Sequence, residues 1–200
     1  MAISLKKGGK ISLAKVAEEN GVAALDNIRI GLGWDTNQYS GGGDFDLDAS
    51  IFVCGADGKA LQSNDGKDGL VFYNNTDVPG VHHTGDNKTG AGEGDDEVIE
   101  VTLSQLMPEV EKIATTVTIH EADKRKQNFG MVSNAYIRLV DVNSGAELLR
   151  YDLGEDYSVE TGLVVAELYK KDGEWRFSAV GMGYENGLLG LCKQYGVDAE

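Results

Sequence analysis

The stretch Gly41-Gly-Gly-Asp-Phe-Asp-Leu-Asp-Ala-Ser-Ile-Phe-Val53 alternates. Phe45, Leu47, Ala49, Ile51 and Val53 fall on one side of an extended chain, and Asp44, Asp46 and Asp48 fall on the other, because strand side chains point to opposite faces with a period of two. One strand would then carry a core face and a row of carboxylates. Asp is among the residues most depleted from strands, and same-face carboxylates roughly 7 Å apart repel one another. Such an array requires a compensating cation or a well-solvated edge. We read the cation as Ca²⁺.

A second acidic segment strengthens that reading. Gly85-Asp-Asn-Lys-Thr-Gly-Ala-Gly-Glu-Gly-Asp-Asp-Glu97 carries five acids and one Lys. Its glycines permit turns with positive φ, so a short loop can wrap and aim carboxylates and carbonyls at one centre. Ca²⁺ takes six to eight such oxygens. The loop holds no thiolate and no imidazole, which disfavours Zn²⁺ and Cu, and Mg²⁺ prefers fewer carboxylates and more water. Asp35, directly after the alternating run Ile28, Ile30, Leu32, Trp34, sits at a strand end and can join them. An EF-hand starting at Asp44 would need Gly and Glu at its sixth and twelfth places. Ala49 and Gly55 stand there, so the ligands must come from a strand and a distant loop.

The charge is unevenly placed. The net charge is −15 over 200 residues, and residues 35–97 hold 11 Asp and 2 Glu against 3 Lys, leaving only −5 to the rest. A merely soluble or halophilic surface would spread its acid more evenly. This balance argues against nucleic acid or an anionic membrane as partner. Cys54 and Cys192 lie far apart and read as free thiols in a reducing compartment. The N-terminus lacks the apolar core of a signal peptide, and no run suits a transmembrane helix. The expected location is the cytoplasm.

Along the chain, residues 3–5 and 11–13 read as short strands, and residues 14–25 as a helical turn or surface insertion. Strands follow at 28–34, 44–53, 69–73, 98–102 and 115–120. A long loop covers 76–97, and a short helix is expected within 103–113, started or broken at Pro108. Hairpins are expected at 135–152 around Asn143-Ser-Gly145 and at 164–180 around Lys171-Asp-Gly-Glu174. Asn186 is placed to cap a last helix through Tyr195. Eight to ten short strands without long intervening helices define an all-β chain. The expected fold is one domain over residues 1–200, an antiparallel β-sandwich with one or two short helices.

Catalytic signatures are weak. His120-Glu121 lacks the second His of a zincin helix. His82 and His83 read as solvent-exposed loop residues, and Lys124-Arg-Lys126 as a solvated turn able to meet an anion or an acidic partner. Trp34 and Trp175 read as packing residues. A metal-dependent hydrolase or phosphotransferase using the same carboxylates is the alternative function, with His82, His83 or His120 as base.

Taken together, Gly31-Leu-Gly-Trp-Asp35, Asp44-Phe-Asp-Leu-Asp-Ala-Ser50, Val71-Phe-Tyr-Asn-Asn75, residues 84–97, Thr118-Ile-His-Glu-Ala122 and residues 162–184 with Gly173-Glu-Trp-Arg-Phe177 resemble the TerD family of tellurium-resistance and bacterial general stress proteins. The resemblance implies a β-sandwich with acidic Ca²⁺ sites at one end, expected to hold two ions. It also implies a cytoplasmic stress-response role alongside other stress proteins, without catalysis. Carried over by motif, the metal ligands are Asp46 and Asp48 on the strand and Asp86, Asp95, Asp96 and Glu97 on the loop, with Asp35, Asp44, Asn74, Asn87 and Glu93 as further candidates.

Overall fold

A computed structural model describes residues 2–36, 43–62, 69–90, 94–153 and 157–198. In chain order its elements are β1 (Ile3–Ser4), β2 (Lys10–Ser12), α1 (Leu13–Asn20), β3 (Asn27–Gly33), β4 (Leu47–Cys54), β5 (Leu70–Val71), β6 (Asp77–Val78), β7 (Val81–His83) and β8 (Glu97–Thr102), then β9 (Lys112–Ile119), α2 (Ala122–Arg125), β10 (Tyr136–Asp141), β11 (Glu147–Asp152), β12 (Gly162–Lys171), β13 (Glu174–Tyr184) and α3 (Gly187–Tyr195). Two sheets form. One has the order β1-β11-β10-β3-β8-β7-β6 and the other β2-β13-β12-β9-β4-β5. Every described pairing is antiparallel except β1 with β11.

Period-two patterning puts the sandwich core where the sequence implies. Ile28, Ile30 and Leu32 of β3, Ile99 and Val101 of β8, and Ile137 and Leu139 of β10 pack in one cluster with Leu47, Ala49, Ile51 and Val53 of β4 and Ile113, Val117 and Ile119 of β9. The chain is therefore an all-β sandwich, and both expected hairpins form. The second turns through Asp172 (φ 55°) and Gly173 (φ 80°), the double left-handed pair that a two-residue hairpin loop demands.

Several elements differ from expectation for local reasons. Residues 14–25 contain a true helix: α1 is capped by the Ser12 hydroxyl, which accepts the Lys15 N–H, and ends at Gly21 in the left-handed region. The helix expected within 103–113 reduces to one 3₁₀ turn at Leu103–Gln105, because Thr102 provides no side-chain cap and Pro108 cannot donate. Asp26 instead accepts the Ser104 N–H at 2.7 Å. The strand expected at 69–73 shortens to β5, where Phe72 and Asn75 close a tight bridge. The loop expected over 76–97 contains β6 and β7, and β8 already begins at Glu97.

The outer face of β4 differs most. Asp48 is followed on that face by Ser50, Phe52 and Cys54. Phe52 and Cys54 join Leu70, Ala114 and Val164 in a second apolar cluster covered by Leu191, Cys192 and Tyr195 of α3. Tyr195 stacks on Phe52, ring centroids 4.4 Å apart. The non-core face of β4 is thus carboxylate at one end and apolar under α3 at the other. Both cysteines are buried there as thiols, outside any disulfide.

Candidate metal centre

Asp44 and Asp46 precede β4, so only Asp48 of the acidic row lies within the strand. Asp46 is fixed at the strand entrance, where its carbonyl accepts the His120 N–H at 2.8 Å, and Asp48 stands opposite Thr118 in the β4–β9 ladder. Both carboxylates are only 6% exposed. Asp86, from the loop after β7, reaches the same place. Asp46, Asp48 and Asp86 each offer an oxygen, all within 4.8 Å of one another. Around them lies a cleft of about 350 Å³ lined also by Tyr73, Asn74, Lys88 and His120. A second cleft of about 300 Å³ shares Asp48, Tyr73 and His120 and runs to the start of α3 at Gly187.

The donor set and spacing fit a hard cation. Two oxygens bound to one Ca²⁺ at about 2.4 Å can be at most about 4.8 Å apart, so oxygens within 4.8 Å of one another can share one ion. Without a cation the carboxylates compete. Burial pushes the Asp48 carboxyl up to about 7, Glu97, Asp46 and Asp86 push the same way, and His120, with Nδ1 3.4 Å away, opposes them. Arg125 Nη2 donates to Asp46 Oδ2 at 2.9 Å, and Lys88 lies 3.9 Å from Asp86.

The other expected ligands divide. Asn74 lines the cleft. Glu97 is a strand residue whose buried side chain accepts the Ala49 N–H at 2.6 Å and the Asn87 N–H at 3.4 Å, so it braces the backbone of β4 beside Asp48. Burial raises its carboxyl, opposed first by its contact with His83. Asp96 accepts the Trp34 N–H at 3.0 Å and the Asn87 Nδ2–H at 3.0 Å. Burial raises it too, and Asp95 and Asp35 add to that rise. Asp35 accepts from Asn134 at 2.6 Å. Asp95 is turned away, accepting the Arg138 Nε–H at 2.7 Å and the Tyr136 hydroxyl at 3.2 Å. A β-carbon at Gly31 would lie 2.1 Å from Asp95 Oδ2, so glycine there makes room for that pair. Asp44 is exposed, and its carbonyl accepts from Arg125 and Gln127. Glu93 lies outside the described residues.

Two residues read as bland carry more. His83 is not a solvent-exposed loop residue. It sits on β7, 2% exposed, with Nδ1 accepting the Gly85 N–H at 3.2 Å and Nε2 at 3.6 Å from Glu97. The signal was available in Val81-His-His83, where alternation puts His83 inward beside Val81 and leaves His82 outside against Asp77. Trp34 is buried between the acidic segments. Its indole N–H donates to the Phe45 carbonyl at 3.2 Å, and a β-carbon at Gly90 would fall 2.4 Å from that nitrogen.

The basic run also has a fixed place. α2 is one turn long and flanked by Glu121 (φ 50°) and Lys126 (φ 54°). Left-handed conformations of non-glycine residues cost on the order of 1 kcal/mol each.

A β-sandwich with a carboxylate cluster at one end defines the class, and the sequence comparisons define the family. Residues 1–195 match the TerD domain, and the chain belongs to the TerD family. It is 53% identical over 199 residues to uncharacterized protein YceE of Bacillus subtilis (strain 168), covering 98% of this chain and 99% of that one. It is 48% identical over 199 residues to general stress protein 16U of the same organism, covering 98% of both. It is 48% identical over 201 residues to tellurium resistance protein TerD of Serratia marcescens, covering 100% of both. A solved homologue of telluride resistance protein from Streptomyces coelicolor A3(2) shares the fold, with a TM-score of 0.66 at 23% identity over 82% of this chain and 94% of that one. No described helix is long and apolar enough to cross a membrane.

Proposed function

We propose that this chain is a Ca²⁺-binding stress-response protein of the tellurite-resistance type, cytoplasmic, and acting as a Ca²⁺-dependent sensor or scaffold for other stress proteins rather than as a catalyst. The observation that carries the reading is the convergence of Asp46, Asp48 and Asp86 within 4.8 Å. Bound Ca²⁺ adds positive charge to three crowded carboxylates that Arg125 and Lys88 only partly offset. Asp46 and Asp48 hold it from the β4 side and Asp86 from the loop, with the Asn74 side chain within reach of the same cleft. Occupancy thereby ties two distant segments together, so folding and ion binding are linked. A second ion would draw on Asp96, Asp35 and Asn87. The names of the stress and tellurium-resistance relatives support the cellular role.

Thermal melting of the EGTA-stripped chain tests this. Ca²⁺ should raise the melting temperature strongly and Mg²⁺ less. Asp46→Asn with Asp48→Asn should abolish most of the effect, and Asp172→Asn at the distal hairpin should not. An unchanged melting temperature at millimolar Ca²⁺ would sink the reading.

One observation favours the alternative, a metal-dependent hydrolase or phosphotransferase. His120 stands 3.4 Å from Asp48, and both line the cleft beside the carboxylates, where a base would be needed. Turnover of phosphate esters that requires Ca²⁺ and is lost in His120→Gln, with Ca²⁺ affinity kept, would establish it.

A further inference from the structure

The cluster already contains one positive charge. Arg125 Nη2 donates to Asp46 Oδ2 at 2.9 Å, and Nη1 reaches the Asp44 carbonyl at 3.4 Å. Of the three converging carboxylates, Asp46 alone has a close guanidinium among the described residues. Among the described residues, Asp48 meets the His120 ring at 3.4 Å and Asp86 meets Lys88 at 3.9 Å. We propose that Arg125 is an internal counter-ion which a divalent cation must displace. It thereby sets the affinity of the site and couples ion binding to release of the strap formed by residues 122–127. This rests on reading the cluster as a divalent-cation site.

Charge is the first argument. An ion bound by an Asp46 oxygen and a guanidinium on the same carboxylate would stand only a few ångströms apart, beside Asp46 and Asp48, each 6% exposed, where like charges are screened less than in open water. The second argument is the strap itself, which is short and exposed. It is a single helical turn between two left-handed non-glycine residues. The N–H of Lys126 is shared between the Ala122 and Asp123 carbonyls, the latter at 3.4 Å. Gln127 donates through Nε2 to the Gly43 and Asp44 carbonyls at 3.0 and 3.3 Å, but its buried Oε1 has no partner among the described residues. Asp123, Lys124, Arg125 and Lys126 are all exposed. Ala122 and Phe129, buried on either side, confine the movement to the residues between them. Losing the Asp46 contact removes an ion pair that ties this turn to the chain before β4 and leaves the Gln127 bonds to the Gly43 and Asp44 carbonyls.

Two measurements on the full chain, stripped with EGTA, test the proposal: calorimetric titration with CaCl₂, and hydrogen–deuterium exchange over residues 121–128. Arg125→Gln should tighten Ca²⁺ binding roughly tenfold, while Arg125→Lys, which keeps the charge, stays within about threefold of the parent. Ca²⁺ should speed exchange at residues 123–127 while slowing it at residues 84–90. Weaker or unchanged binding in Arg125→Gln, or slower exchange at 123–127 with Ca²⁺, overturns the proposal, since Arg125 would then stay in place and orient Asp46. Binding by Arg125→Gln but not by the parent supports it in the extreme. If neither chain binds Ca²⁺, the cation reading itself fails and the displacement falls with it.

Discussion

Replacing Asp48 by Asn should stabilise the metal-free protein at neutral pH while removing its response to Ca²⁺. Asp48 is 6% exposed. Burial, with Glu97, Asp46 and Asp86 acting in the same direction, lifts its carboxyl from 3.8 to about 7. The folded chain therefore keeps a proton that the unfolded chain has lost between those values. The contribution of this group to stability is complete below about pH 4, falls as pH rises through the window, and is lost above about pH 7. At 1.36 kcal/mol per pH unit, the charged form costs at most about 4 kcal/mol. Asn keeps the shape and removes the charge. It also gives up the attraction to His120, so a net gain of about 2 kcal/mol is expected at alkaline pH and almost none in acid. Urea unfolding in EGTA at about pH 4.5 and about pH 8 measures this. A variant less stable than its parent at the higher pH, or a difference that does not change with pH, refutes the reasoning.

Four further outcomes follow from the structure. Asp86→Asn should remove most of the Ca²⁺-induced rise in melting temperature. Asp95→Asn should leave that rise intact while costing on the order of 1–3 kcal/mol through the broken contact with Arg138, read by denaturant unfolding. Gly31→Ala should destabilise by on the order of 2 kcal/mol by the same measurement, because its β-carbon drives into Asp95. Leu191→Ala, in the fully buried contact of α3 with its sheet, should cost about 2–5 kcal/mol and speed hydrogen exchange in α3 ahead of the rest of the chain.

Much of this was legible in the sequence because it is local. The hairpin through Asp172 and Gly173 follows from two residues that accept left-handed backbone, and the core face of β4 follows from Phe45 through Val53. That two acidic segments should meet was also legible, since neither is stable alone. Which of three consecutive acids turns inward was not. Asp95 is claimed by Arg138 across the sheet, Asp96 by the Trp34 amide, and Glu97 by the Ala49 amide, and each partner is more than forty positions away. Arg125 lies 79 residues from Asp46, and nothing in its own neighbourhood separates it from a solvated turn. The role of α3 was half visible. Phe52 and Cys54 on the otherwise acidic face required a cover, but no local pattern said which segment supplied it.

The placement of Trp34 has a spectroscopic consequence. The chain has two tryptophans. Trp175 pairs with Lys170 at the end of the β12–β13 hairpin away from Gly162, whereas Gly162 adjoins Thr118, the partner of Asp48. Trp34 alone bridges the two acidic segments, its amide on Asp96 and its indole on the chain just before Asp46. A change in tryptophan emission, excited to the red of tyrosine absorption, on adding an ion would therefore report one indole held against both acidic segments, and Trp175→Phe would isolate that signal without touching a carboxylate.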